Sequence, residues 1–256
     1  MSPRLRPELP AESTQRNGAP LANETMPRAA IADQVRDIID LLVSKDISDD
    51  VLMQEVAELR EISERLSDAA APGKRARVSP DVTAHPQDYF VNGPTAGWAN
   101  PLALPIQIWG VDTEAGTSEI RGKAIFSLAY EGPPTCVHGG IIALVFDEIL
   151  GNANLIANMP GMTGTLKIRY SKPTPLMTPL DLEARLISVD GRKISTYAAI
   201  SCNGQVTAEA EGLFISVPPE AMLAFMETNA SNAEGTVIDP EIEQAIRAAA
   251  EERAQD

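Results

Sequence analysis

The chain has 256 residues, of which 44% are hydrophobic and 4% aromatic, and its formal net charge is −15 at pH 7. This length and apolar content predict one or two globular domains with a substantial core, and the acidic charge argues against broad nucleic-acid binding. The two cysteines, Cys136 and Cys202, make no disulfide framework, which favours a reducing cytoplasm. No apolar run reaches the roughly 18 residues that a membrane span requires, and the polar first residues do not read as a secretory signal.

The N-terminal third is predicted to be an extension of the main domain. Residues 1–30 are polar and proline-containing, which is typical of disorder. Residues 31–80 are expected to form two helices and a linker, with Ser48 as a cap of the second helix. The helical apolar positions are Ile31, Val35, Ile38, Ile39 and Leu42, then Leu52, Val56, Leu59, Ile62 and Leu66. These helices would form a helical hairpin or a pair of short interaction helices. They would either pack as an appendage on the main domain or serve dimerisation or partner binding.

From residue 81 onward the pattern changes to strands around one apolar helix. Alternating polar and apolar residues predict strands over 119–124, 165–170 and 180–217, and the last range is divided by turns at Asp190-Gly191 and Asn203-Gly204. A helix that is apolar all round is expected from Gly139 to Ala157. The sequence therefore predicts an α+β domain in which an antiparallel sheet, including a four-strand meander, curls around this helix. Residues 219–256 form an acidic, partly helical tail.

The residues best suited to catalysis lie at the start of the apolar helix and within it. His138, Gly139 and Gly140 precede the apolar stretch, which Asp147 interrupts. Glycines at a helix start allow close approach of a ligand to free amide N–H groups, and a buried carboxylate is costly unless it is paired or used. An amide donor together with a carboxylate base or nucleophile is what acyl-transfer chemistry requires, so this segment indicates a hydrolase.

The motif as a whole resembles the hotdog-fold acyl-CoA thioesterases, in particular the phenylacetate-pathway and thioesterase-superfamily-member type. The resemblance covers roughly residues 88–217, within a predicted domain of 81–218, and implies a hotdog fold. It is carried by Gly132-Pro133-Pro134, His138-Gly139-Gly140, Asp147 after six intervening residues, Thr163, and the strand ending Tyr170-Ser171-Lys172-Pro173.

The resemblance also implies roles for individual residues in the hydrolysis of acyl-CoA to a free carboxylic acid and CoA. Asp147 would be the general base or nucleophile, with Glu148 as the second carboxylate to consider. The amides of Gly139 and Gly140 would form the oxyanion hole, Thr163 would orient the attacking water, and His138 would position the substrate or simply be a core histidine. Relatives often carry Asn at the position of Gly132, so carbonyl activation here would rest more on the helix-end amide.

Spacing adds a prediction about assembly. Gly139 and Asp147 lie eight residues apart, or about 12 Å along a helix, whereas reacting atoms must approach to about 3–3.5 Å. One helix therefore cannot easily supply both groups, and we expect a homodimer, or a dimer of such dimers, with the sites at its interface. We expect a basic rim for the anionic CoA, formed by Lys167, Arg169, Lys172, Arg192 and Lys193.

The reaction is expected to need no metal or redox cofactor, because His85 and His138 lack a surrounding Cys or Asp cluster. An acyl tunnel between helix and sheet would be lined by Leu144, Ile149 and Met162; the alternative is that these three residues belong to the core. Two other functions remain open: a non-catalytic acyl-CoA-binding or scaffold protein, and a hotdog enoyl-CoA hydratase or dehydratase that uses His138 and Asp147.

Overall fold

The computed structural model describes residues 27–70, 74–75, 91–232, 236–237, 243–244 and 246–248. Its principal unit is a six-stranded antiparallel sheet packed on a long helix, α3 (Gly139–Ile156). The strands in chain order are β2 (Ile106–Asp112), β3 (Ser118–Ala124), β4 (Gly161–Tyr170), β5 (Leu180–Asp190), β6 (Lys193–Cys202) and β7 (Gln205–Ser216). Two short strands, β1 (Lys74–Arg75) and β8 (Thr236–Val237), form a separate parallel pair. The α+β hotdog architecture expected from the sequence is confirmed.

The hairpins of the sheet follow the predicted turns closely. Asn203 and Gly204 both have positive φ, 50° and 74°, as a tight two-residue turn between twisted strands requires. At the preceding turn Asp190 pairs with Lys193, so the loop consists of Gly191 and Arg192. The predicted Asp190-Gly191 turn is therefore displaced by one residue, because Gly191, with φ of 55°, takes the first loop position.

The predicted four-strand meander is wrong in one respect, because β4 does not neighbour β5. The order across the sheet is β2-β3-β5-β6-β7-β4, which places β4 at an edge beside β7. The connection between β4 and β5 is held by the loop before α3, where Val137 N–H donates to Thr174 O and Leu176 N–H donates to Thr135 O. These bonds hold the connection across the end of the sheet, and β5 then pairs with β3.

Helix α3 forms the centre of the core. Its side chains are buried on several faces, against the sheet and against the segment that precedes β2; fully buried members are Val145, Phe146, Ile149, Leu150 and Ala153. Burying each large apolar side chain contributes about 1.5–3 kcal/mol. By length and composition α3 is apolar enough to cross a membrane, but half of it is buried inside this fold, as is typical of a core helix.

The two N-terminal helices differ in how they attach to the sheet domain. Helix α1 (Pro27–Ser44) begins four residues before the predicted start, with Pro27 at its first position, where proline is favoured. Arg36 donates to the carbonyl of Asn100, and Ser127 donates to Asp40, so α1 is anchored on the domain. Helix α2 (Asp49–Asp68) has no buried residue, and its Ser48 cap lacks a side-chain hydrogen bond. Packing on the main domain is therefore observed for α1, whereas α2 buries no residue against it.

The remaining predictions for the flanks fall partly outside the described residues. The predicted disorder of residues 1–30 is wrong for residues 27–30, which form the first turn of α1, and its remainder lies outside the described residues. Most of the linker, His85 and most of the acidic tail also lie outside them. Of that tail, the structure describes helix α4 (Pro219–Asn232) and the short segments beyond it.

Candidate active site

Asp147 lies on the exposed side of α3 and is bonded to β4. The hydroxyl of Thr163 donates to Asp147 Oδ1 at 2.8 Å, and both side chains are exposed in the single chain. The structure thus brings together the carboxylate and the hydroxyl that the sequence singled out. One carboxylate oxygen is held by this bond, which leaves Oδ2 able to accept a proton from a bound water.

A β-bulge places Thr163 on the helix side of the sheet. Thr163 pairs with Phe214 and Thr165 pairs with Leu213, so Gly164 is an extra residue in β4. Strict alternation would put Thr163 on the same outward face as Thr165. Because Phe214 is buried beneath α3, its pairing partner Thr163 is instead turned towards the helix and reaches Asp147.

The start of α3 is held by two side chains. His138 is the N-cap, and its Nδ1 accepts a hydrogen bond from the Gly140 N–H at 3.0 Å. In this arrangement Nε2 carries the proton of the neutral ring. Tyr170, at the far end of β4, donates to the Gly139 carbonyl at 2.9 Å. The Gly140 amide is therefore engaged by His138, whereas the Gly139 N–H lies in the first turn, where the helix itself supplies no acceptor.

Gly132 has a steric reason to be glycine. A Cβ atom there would lie 2.7 Å from the Cα of His138, closer than real Cβ contacts allow. The loop before the helix thus packs directly on His138, which explains why no polar side chain occupies the position where the resembling family often has Asn.

Glu148 lies next to Asp147 in sequence but in a different environment. Asn152 Nδ2 donates to the Glu148 carboxylate at 3.0 Å, and the hydroxyl of Thr95 also bonds to it. Burial raises the pKa of Glu148, the nearby charge of Asp147 adds to the increase, and the bonds from Asn152 and Thr95 oppose it. The two adjacent carboxylates are therefore distinguished by burial: Asp147 is open to solvent and Glu148 is largely enclosed.

The five basic residues of the predicted rim do not form a single cluster. Lys167 and Arg169 on β4 pair with Glu211 and Glu209 of β7, each at 3.2 Å. Arg192 Nε donates to the carbonyl of Ser216, at the end of the sheet where β4 begins, and Lys193 follows it. Lys172 lies beyond the opposite end of β4. There it lines a depression of about 510 Å³ with Pro173, Pro175, Cys202, Asn203, Gln205 and Thr207.

The three predicted tunnel residues are placed differently from one another. Ile149 is fully buried in the core, and Leu144 is half-buried against it. Met162 is 50% exposed on the outer face of β4, where it pairs with Ile215. Within the described ranges, no group of three or more His, Cys, Asp or Glu side chains is close enough to hold a metal ion.

Sequence reasoning did not assign roles to several residues that contact the site. Tyr170 was recognised only as the end of a strand, and the bonds of Glu148 to Thr95 and Asn152 were not foreseen. An aromatic residue ending an edge strand carries no local signal for such a role. Asn152, four residues after Glu148 on α3, did offer one, because side chains at this spacing meet on a helix.

Known proteins that resemble this chain are named as thioesterases. No protein-family model matches the chain. The crystal structure of a thioesterase superfamily protein matches with 36% identity and a TM-score of 0.65, covering 75% of this chain and 91% of that one. Acyl-coenzyme A thioesterase THEM4 of Mus musculus is 36% identical over 109 residues, 41% of this chain and 47% of the mouse protein. The Xenopus laevis protein of the same name is 32% identical over 91 residues, 35% of this chain and 41% of its own length. The chain thus spans about half the length, or less, of these curated relatives.

Proposed function

This chain belongs to the thioesterase superfamily, and on that premise we propose that it hydrolyses acyl-CoA thioesters to a free carboxylic acid and CoA. The observation that carries the proposal is the bond between Thr163 and Asp147 on the open side of α3. It presents an oriented carboxylate on a helix whose N-terminus offers an amide donor, which are the two groups needed to attack a thioester and hold its oxyanion.

In this proposal Asp147 acts as the general base. Its Oδ2 removes a proton from water, the oxygen of that water attacks the thioester carbonyl, and the C–S bond breaks as the tetrahedral intermediate collapses. The CoA sulfur leaves with the proton. Thr163 is a positioning residue, since its hydroxyl proton is committed to Asp147 Oδ1 and its oxygen can still accept from the water. The alternative is direct attack by Asp147, which expels the CoA thiolate and forms a mixed anhydride. Attack of water on the Asp147 carbonyl of that anhydride would place oxygen from labelled water in the Asp147 side chain in a single turnover, whereas general-base catalysis would place it only in the product acid.

The oxyanion hole is assigned to the Gly139 amide. The Gly140 N–H already donates to His138, whereas Gly139 is held from its carbonyl side by Tyr170. The positive end of the helix dipole adds to this donor. His138 then serves as the N-cap that orients the first turn, and it does not act as a base.

We propose that the active site is completed across a homodimer. Tyr170 contacts Gly139 at one end of β4, and Thr163 contacts Asp147 at the other, so α3 runs antiparallel to β4. The outer edge of β4 ends the described sheet, and most of its residues are exposed, a feature that favours pairing with another strand. Antiparallel pairing of two β4 strands about their middle would bring the Gly139 amide of one copy towards Asp147 of the other.

The same pairing would gather the basic residues that are separated in one chain. Lys172 lies beyond the Tyr170 end of β4, whereas Arg192 and Lys193 lie at the end where β4 begins. Two antiparallel β4 strands bring these opposite ends together. We therefore assign the phosphates of CoA to Lys172 of one copy and Arg192 and Lys193 of the other, with Lys167 and Arg169 contributing less because of their acidic partners.

The proposed reaction uses only water and acyl-CoA, so it requires no metal or redox cofactor. A cytoplasmic location is part of the proposal, supported by the two free thiols Cys136 and Cys202.

Thiol release from short, medium, long and aryl acyl-CoAs, measured for the wild type and for Asp147→Asn, tests the proposal. We expect turnover on at least one chain length, and a loss of about a hundredfold or more in kcat for the variant, as for a principal acid–base group. The isosteric amide keeps the bond from Thr163, so circular dichroism and the melting temperature should be nearly unchanged. Absence of thiol release with intact acyl-CoA binding would favour the binding-protein alternative, and hydration of an enoyl-CoA without CoA release would favour the hydratase.

A further inference from the structure

Asn154, near the end of α3, is a buried polar side chain without a protein partner. It is 1% exposed, and within the described part of the chain neither its Oδ1 nor its Nδ2 has a hydrogen-bond partner. Nearly all buried polar groups in proteins are hydrogen-bonded, and one that is not requires an explanation in a ligand, a water or a catalytic role. Both halves of the amide are unpaired, so the missing partner must both donate and accept.

The position of Asn154 on α3 relates it to the active site. It lies seven residues after Asp147, which is two helical turns, so both side chains leave the helix in nearly the same direction about 10 Å apart. Exposure falls along this face, from the open carboxylate of Asp147 to the enclosed amide of Asn154. This face of α3 therefore runs from the solvent-exposed Asp147 to the protein interior at Asn154.

Gly151 lies between these two residues and leaves space on the same face. The nearest atom that a Cβ there would meet is Cε1 of Phe214, at 3.9 Å. Phe214 pairs with Thr163 in the sheet, so this space adjoins the Thr163–Asp147 pair. The side chain that bounds this space, Phe214, is aromatic and 2% exposed, so the space adjoins buried apolar surface.

We propose that an acyl chain runs from Asp147 past Gly151 and ends at Asn154, which hydrogen-bonds a hydroxyl group at the distal end of the chain. The proposal rests on the thioesterase function proposed above and deepens it by naming the substrate class, hydroxylated acyl-CoAs of medium length. A hydroxyl both donates to Oδ1 and accepts from Nδ2, whereas a ketone satisfies only Nδ2. A charged end group is disfavoured because burying it beside Phe214 is costly.

The test compares straight-chain acyl-CoAs of increasing length with their omega-hydroxy counterparts. The readout is the ratio of kcat/KM for the hydroxylated chain to that for the unsubstituted chain of the same length. We expect this ratio to peak at one length in the wild type. At that length it should fall by about tenfold or more in Asn154→Leu, because a site that pairs a substrate hydroxyl discriminates strongly against its absence.

Two further variants separate lost recognition from damaged packing. Asn154→Ala removes the amide without adding volume and should lower the same ratio. Gly151→Ala adds one methyl group to the proposed path and replaces a mid-helix glycine, so it should raise the melting temperature while reducing kcat/KM selectively for longer chains. A loss caused by unfolding would lower the melting temperature and affect all lengths.

The outcomes distinguish this inference from the proposed function. If thiol is released but the ratio is the same in the wild type and both Asn154 variants, Asn154 is an internal amide satisfied by buried water, and the inference is overturned. If no acyl-CoA releases thiol, the thioesterase proposal fails, and equilibrium binding of the same acyl-CoA pairs decides the inference instead. Tighter binding of the hydroxylated form by the wild type alone would then support it, and equal binding would overturn it.

Discussion

At the scale of single residues, burial separates two adjacent carboxylates on one helix. Asp147 is exposed and bonded by Thr163, whereas Glu148 is enclosed and bonded by Asn152 and Thr95. The exposed carboxylate is therefore the more accessible of the two to water and substrate. The enclosed one instead links α3 to the segment preceding β2.

Replacing Thr163 tests whether its hydroxyl positions Asp147. Thr163→Val keeps the shape of the side chain but removes the bond to Oδ1, so we expect kcat to fall by about tenfold to a hundredfold through misplacement of the carboxylate. Thr163→Ser retains the hydroxyl and should recover most of the activity. Steady-state kinetics with the preferred acyl-CoA measures this, and equal activity of the Val and Ser variants would refute the positioning role.

Glu148 should make stability depend on pH. Its pKa in the folded protein is raised above the ordinary value of 4.5 mainly by burial. The folded state therefore holds the proton to higher pH than the unfolded chain does. The contribution to the unfolding free energy is most favourable at low pH and declines as pH rises from the ordinary value through the raised one. Glu148→Gln keeps an acceptor for Asn152 but cannot ionise, so it should be more stable than the wild type at neutral pH.

Urea denaturation at several pH values compares the two proteins. The difference in unfolding free energy should shrink as pH is lowered towards the ordinary value. A constant difference across the range would show that ionisation of Glu148 is not its cause.

At the scale of elements, α3 is fastened to the edge strand β4 at both ends of the site. Tyr170 bonds to Gly139, Thr163 bonds to Asp147, and the bulge at Gly164 aims Thr163 at the helix. These contacts set the angle of α3 over the sheet and hence the direction of its N-terminal amides. The same strand supports both the proposed base and the proposed oxyanion donor.

The cap of α3 can be tested separately from catalysis. His138→Ala leaves the Gly140 N–H without its Nδ1 acceptor and should cost about 1 kcal/mol of stability, as for the loss of other N-caps. Asn is a favoured N-cap residue, so His138→Asn should keep most of the stability. Thermal unfolding measures both variants, and equal melting temperatures for Ala and Asn would contradict a capping role.

At the scale of the whole molecule, the exposed parts of the chain are the ones that point to assembly. In the described chain neither the edge strand β4 nor helix α2 has a buried residue, and Asp147 is open to solvent. A hydrolytic site works better when bulk water is kept away from the reacting groups. The proposed dimer would provide this enclosure at the β4 edge.

A new charge in the middle of β4 tests the dimer. In Thr165→Asp, the proposed antiparallel pairing brings two like charges close together, which destabilises cross-strand pairs. We expect a shift from dimer to monomer in sedimentation velocity, with a parallel loss of kcat. Ser188→Asp places the same charge on an exposed position of β5 and is the matched control. A fully active monomer would rule out a site shared between subunits.

The sequence by itself was sufficient for the parts of this protein that depend on neighbouring residues. The apolar run after Gly139 predicted α3, the alternation over 180–217 predicted three strands, and Asn203-Gly204 predicted a turn with positive φ. Periodicity and turn chemistry are local properties, so they can be read without knowing what packs where. The helix with Asp147 and the strand with Thr163 were identified for this reason.

The tertiary structure alone decided the features that depend on distant partners. It placed β4 beside β7 instead of β5 and inserted the bulge that turns Thr163 inward. It also enclosed Glu148 and Asn154 while leaving Asp147 exposed. Strand order and burial arise from contacts between residues far apart in the chain, and the same residue type can be open or enclosed according to those contacts, so no local pattern specifies them.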